Sequence, residues 1–140
     1  MPKNSKSANQ DAIRQTVLFD ASPHDVFELL MDSKKHSEFT ESKCVISRKV
    51  GGKISAYDGY ISGKNLEVIA DKKIVQEWSA SDWPEGTVSI ATFEFKPKGT
   101  KTELVFTQTG VPADFVDDIT SGWHEHYWDK MKLFLRNRPK

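Results

Sequence analysis

From Ile13 to Phe19, Ile, Val and Phe alternate with Arg, Gln, Thr and Leu, a period of two that predicts a first β-strand. The pattern changes at "DASPHDVFELLMD". Ser22 is placed to cap a helix, Pro23 suits its first turn, and Asp25 completes an S-x-x-D capping box. Val26, Phe27, Leu29 and Leu30 then give that short helix an apolar side. A second short helical piece is expected from about Ser33 to Phe39. Between about Lys43 and Thr109 the chain reads as short β-branched and aromatic runs separated by turn signals: Gly51-Gly52, Asp58-Gly59, Asp71-Lys72, Pro84-Glu85-Gly86 and Pro97-Lys98-Gly99. Short connections predict hairpins and an antiparallel sheet. Ala91, Phe93 and Phe95 share one face of their strand, with Thr92, Glu94 and Lys96 on the other; Leu104 and Phe106 likewise oppose Glu103 and Thr107. One sheet face is therefore expected to be wet and the other covered.

The cover must be the C-terminal segment. From about Ala113 to Arg136 there is no Pro, and Gly122 is the single Gly. Ile119, Trp123, Tyr127, Met131 and Phe134 recur at helical spacing, and Lys130, Lys132 and Arg136 fall where cations suit the end of a helix. The predicted order is strand, two short helices, a run of antiparallel strands, then one long helix. The economical packing is an α+β helix-grip fold, a curved antiparallel sheet wrapped around the long helix.

Composition narrows the functions. Apolar residues make up 37% of the 140, enough for one core, so one domain is expected over residues 12–138. The polar start, residues 1–11, is expected to be a disordered tail. Twenty Lys and Arg balance twenty Asp and Glu. That balance argues against bulk attraction to nucleic acid or to an anionic membrane. No run approaches a membrane span, and a cytoplasmic location is expected. The single cysteine, Cys44, permits no internal disulfide and belongs to no zinc-spaced set; it reads as a small buried hydrophobe.

"SGWHEHYWDKMKLFLRN" (121–137) resembles a metal motif at first sight. A zinc-binding helix needs His at i and i+4, yet the position four after His124 is Trp128. His124 and His126 diverge by about 200° on a helix and cannot share an ion. No metal and no cofactor is expected. His126 borders the helix stripe and is the one histidine placed to touch a cavity. His24 and His36 are expected at surface or capping positions. Carboxylate pairs such as Asp117-Asp118 lie in no motif that separates two pKa values. Trp78, Trp83 and Trp123 stand on elements that face each other, either filling a core or lining an apolar pocket.

"LFDASPHDVFELLMD", "GYISGKNLEVIADKKIVQEWSASDWPEG" and "GVPADFVDDITSGWHEHYWDKMKLFL" closely resemble the activator of heat-shock-protein-90 ATPase homologue family, a branch of the START/Bet v 1-like superfamily. The resemblance runs from about Arg14 to Asn137. It is specific at Gly59, Gly63 and Asn65, at Trp78, Trp83, Pro84 and Gly86, and at Gly122, Trp123 and Tyr127. It implies the helix-grip fold and an apolar cavity between sheet and last helix, which in the superfamily takes lipids, hormones or polyketide-like molecules. It matches the equivalent of the co-chaperone's C-terminal domain, whereas the co-chaperone's ATPase stimulation is implied to run mainly through its N-terminal domain.

Three functions are compatible with these features. The first is a non-catalytic protein holding a small hydrophobic or amphipathic ligand, lined by Trp78, Phe93, Phe106, Trp123, His126 and Tyr127. The second is a chaperone-interaction or stress-response module, using Trp83 on its loop, Trp128 on the outer helix flank and the basic C-terminal end. The third, resting on superfamily analogy, is a polyketide cyclase-like enzyme with His126 or Tyr127 as acid or base.

Overall fold

The computed structural model describes residues 12–138. The tail expected at 1–11 lies outside the described residues. β1 (Ile13–Phe19) is followed by α1 (Pro23–Met31) and α2 (Ser33–Thr40). Then come β2 (Val45–Ile46), β3 (Lys53–Ala56), β4 (Ile61–Ile69), β5 (Lys73–Ala80), β6 (Ser89–Lys98) and β7 (Lys101–Thr109). A 3₁₀ turn (Ala113–Phe115) leads into α3 (Val116–Trp123), a π-helical turn (His124–Trp128) and α4 (Asp129–Asn137). α3, the π turn and α4 run on as one long helical segment. The seven strands form one antiparallel sheet in the order β1-β7-β6-β5-β4-β3-β2. The first strand thus closes one edge against the last, and α1 and α2 carry the chain to the opposite edge.

Local chemistry sets these boundaries. Ser22 has extended backbone angles, and its hydroxyl accepts the Asp25 N–H at 3.2 Å; such a cap is worth about 1 kcal/mol. Asp32 ends α1 and begins α2, its carboxylate accepting the Lys35 N–H at 3.0 Å. β1 alternates buried and exposed from end to end. The inward residues of β6 and β7, including Ala91, Phe93, Phe95, Leu104 and Phe106, are all buried. Burying a side chain of this size contributes about 1.5–3 kcal/mol, offset by the entropy of fixing it.

β4 carries two features that hold its end of the sheet. Asn65 is fully buried, and its amide N–H groups donate to the carbonyls of Ser47 (2.7 Å) and Lys49 (3.0 Å). Its side-chain oxygen accepts from Gln76 Nε2 at 3.0 Å. One side chain therefore clamps the loop between β2 and β3 to the sheet. Gly63 faces Trp78 across the ladder, where a Cβ would lie 1.8 Å from the Glu77 carbonyl oxygen. Main chain cannot yield that space cheaply. Gly63→Ala is expected to cost at least about 2 kcal/mol in urea unfolding, with Gly59→Ala at the exposed turn costing less; equal effects would show that the close approach at Gly63 does not constrain the sheet.

Candidate functional site

The long helical segment meets the sheet through its π turn. There the Asp129 N–H donates to the His124 carbonyl, five residues back. In an α-helix residues five apart diverge by about 140°. With one extra residue in the turn, Trp123 and Trp128 come to lie over each other instead, stacked at 5.2 Å with their planes 18° apart. Both are buried. Trp123 Nε1 donates to Gln108 Oε1 at 2.8 Å, and Gln108 Nε2 donates to Ser89 Oγ at 2.9 Å. Ser89 Oγ donates in turn to the Trp78 carbonyl at 2.6 Å. Trp128 Nε1 donates to Gln15 Oε1 at 2.6 Å, and Gln15 Nε2 returns to the helix at the Thr120 carbonyl, 3.0 Å away. Every side-chain polar atom in this hydrogen-bonded series has a partner, as burial demands, whereas the buried Trp83 Nε1 has none.

Tyr127, between the two tryptophans, reaches His36. His36 Nδ1 donates to the Leu30 carbonyl at 3.0 Å. A carbonyl only accepts, so Nδ1 carries the proton and Nε2 accepts from the Tyr127 hydroxyl at 2.8 Å. Burial holds His36 neutral, lowering its pKa from 6.5 to about 4. Burial also pushes the Tyr127 hydroxyl well above its ordinary value.

These side chains fill the space under the helix. Phe106 lies 4.4 Å from Trp123 and Phe93 5.1 Å from Phe106, ring centre to ring centre. Beneath the π turn a void of about 10 Å³ is bordered by His36, Trp78, Phe93 and Tyr127 among others. That is room for one water at most. The larger hollow, about 500 Å³, lies beside the helix and opens to solvent. α3 and the π turn form one wall with Asp118, Ile119, Gly122, Glu125 and His126. The turn after β3, the start of β4 and the end of β5 form the other, with Tyr57, Tyr60, Ile61 and Trp78. Tyr57 closes one end, its hydroxyl donating to the His126 carbonyl at 3.0 Å. The Tyr60 hydroxyl donates to Asp82 at 2.8 Å. Burial is the largest cause raising both hydroxyls to about 12.

Of the six residues expected to line a cavity, Trp78, Trp123, His126 and Tyr127 border the open groove. Phe93 borders the 10 Å³ remnant, and Phe106 borders neither, because Trp123 sits on it. Three other expectations need correction. His36 is neither surface nor capping but is buried, since α2 folds it against Tyr127 and Phe39. Trp128 is not on the outer flank, because the π turn rotates it inward. Trp83 is buried on its loop between Trp78 and Phe115, at 5.6 and 6.2 Å. His124 is exposed, and no group of three or more His, Cys, Asp or Glu able to hold a metal occurs among the described residues.

A seven-stranded antiparallel sheet gripping one long C-terminal helix defines a helix-grip protein of the Bet v 1-like class. Residues 20–136 match the family described as activator of Hsp90 ATPase homolog 1-like protein, and the chain belongs to that family. It is 34% identical over 115 residues to the activator of 90 kDa heat shock protein ATPase homolog of Dictyostelium discoideum, covering 81% of this chain and 30% of that one. With activator homolog 1 of Homo sapiens the identity is 29% over 120 residues, covering 86% of this chain and 35% of that one. The chain thus spans about a third of the length of these curated relatives. Among solved structures, an HSP90 activator from Plasmodium falciparum superposes with a TM-score of 0.84 at 27% identity, covering 92% of this chain and 99% of that one. CalU16 from Micromonospora echinospora, at 17% identity and a TM-score of 0.76, covering 90% of this chain and 76% of that one, shares the fold. No described helix is long and apolar enough to cross a membrane.

Two outcomes follow from the buried network. Gln108→Leu keeps the volume but strips Trp123 Nε1 of its acceptor, and is expected to cost about 1–3 kcal/mol in chemical unfolding; no loss would mean that the indole bond contributes nothing. His36 takes up a proton more readily unfolded than folded, so its contribution is complete above pH 6.5 and is lost as pH falls to about 4. Wild type is expected to lose about 3 kcal/mol more than His36→Gln across that interval, measured as unfolding free energy against pH. Parallel pH curves for the two proteins would contradict a neutral buried imidazole.

Proposed function

We propose that this chain is a chaperone-interaction module of the Hsp90-activator type, acting through its outer surface and carrying no apolar ligand in its interior. The observation that carries this reading is the aromatic packing beneath the π turn, where the void is about 10 Å³ and an enclosed ligand would need several hundred. Trp123 and Trp128 fill the space beneath the π turn and are bonded to the sheet. An acid–base role for Tyr127 has little support, since its hydroxyl proton is committed to His36 in the interior. The family membership and the likeness to an HSP90 activator covered over 99% of its length support a chaperone partner. On this reading a rigid, fully packed domain presents a fixed surface, and rigidity lowers the entropic cost of docking.

Calorimetric titration of the chain into an Hsp90-type chaperone, with the chaperone's ATP hydrolysis followed in parallel, tests the reading. A saturable isotherm is expected, with a change in hydrolysis rate if this domain alone transmits the effect. Absence of binding up to about 100 µM would contradict it.

A further inference from the structure

The open groove has a chemistry of its own, independent of any chaperone partner. Its walls are aromatic: Tyr57, Tyr60 and Trp78 on the sheet side, with Trp123 and Tyr127 at the base of the helix. Its rim carries two carboxylates. Asp118 and Glu125 both line it, with His126 beside them and no Lys or Arg. They stand seven positions apart on the same wall of the groove. Asp82 stands behind Tyr60, bonded to its hydroxyl, and both Asp82 and Asp118 act on that hydroxyl electrostatically. At the other end, Glu41 acts on the Tyr57 hydroxyl but is paired with Lys130 Nζ at 3.9 Å. Asp118 also suits the first turn of α3, where a carboxylate offsets the helix dipole. Glu125, within the π turn, has no such reason to be acidic. Gly122 lies between the two, and the His126 ring sits beside it.

We propose that this groove binds a small organic cation with an apolar body, an aryl- or alkylammonium compound. Aromatic faces attract a cation through their quadrupole, and they accept an apolar body through burial. The carboxylates add attraction for positive charge and repel an anion of the same shape. A volume of about 500 Å³ suits a molecule of drug size. A plain apolar ligand has no use for the acidic rim, and an anionic amphiphile such as a fatty acid is disfavoured by it.

The test uses three probes of similar shape: benzyltrimethylammonium, benzyl alcohol and phenylacetate. Each is titrated into the full chain and followed by NMR at the Trp78 indole and the Tyr57 and Tyr60 rings. The cation is expected to shift these signals and to bind about tenfold more tightly than phenylacetate. In the double variant Asp118→Asn, Glu125→Gln, both exposed positions, the preference is expected to fall to about threefold or less. Equal binding of cation and anion overturns the proposal. So do shifts confined to residues outside the groove, or no shift at about 10 mM cation. Failure of chaperone binding leaves this result untouched, and the two readings fail separately.

Discussion

Trp123 and Trp128 lie face to face on the C-terminal helix, and each gives its indole N–H to a glutamine buried in the sheet. The geometry requires a π turn, because an α-helix would aim two residues five apart in different directions. Once the turn is made, the indoles, Tyr127 and His36 occupy the space between helix and sheet. Losing either glutamine leaves an indole N–H donor stranded in an apolar core, at a cost of about 1–3 kcal/mol. The space beneath the π turn is thereby filled, and a hollow of about 500 Å³ opens beside it, bordered by Trp78, Trp123 and Tyr127 among others.

Much of this architecture was legible in the chain itself. Period-two alternation marked β1, β6 and β7, and Ser22 with Asp25 marked the start of α1. The helix stripe was legible too: Trp123, Tyr127 and Met131 are buried where spacing put them, with Ile119 and Phe134 half-buried beside them. Trp128 was misread because helical periodicity assumes 3.6 residues per turn throughout, and no local signal in "HEHYW" announces a π turn. His36 was misread for a different reason. Its partner Tyr127 lies 91 residues away, and periodicity within a short helix says nothing about distant packing.

The polar core had a signal that alternation alone makes available. Gln15 sits in phase with Ile13, Val17 and Phe19, and Gln108 in phase with Leu104 and Phe106. An amide on the inward parity of a strand must find a buried partner, and tryptophans on the facing helix are the natural donors. The groove was less accessible to such reasoning. Its walls come from the β3–β4 turn, the end of β5 and the helix flank, so Tyr57, Tyr60, Asp118 and Glu125 meet only through tertiary packing.

Hydrogen exchange of the indole N–H groups tests the double anchorage most directly, because each tryptophan reports at a resolved position. If both indoles are locked to the sheet, the Trp123 and Trp128 indole protons exchange only through global unfolding, as slowly as the slowest amides of β6 and β7. A Trp128 indole proton that exchanges at the rate of an exposed tryptophan would contradict the inward π-turn geometry and, with it, the filled interior.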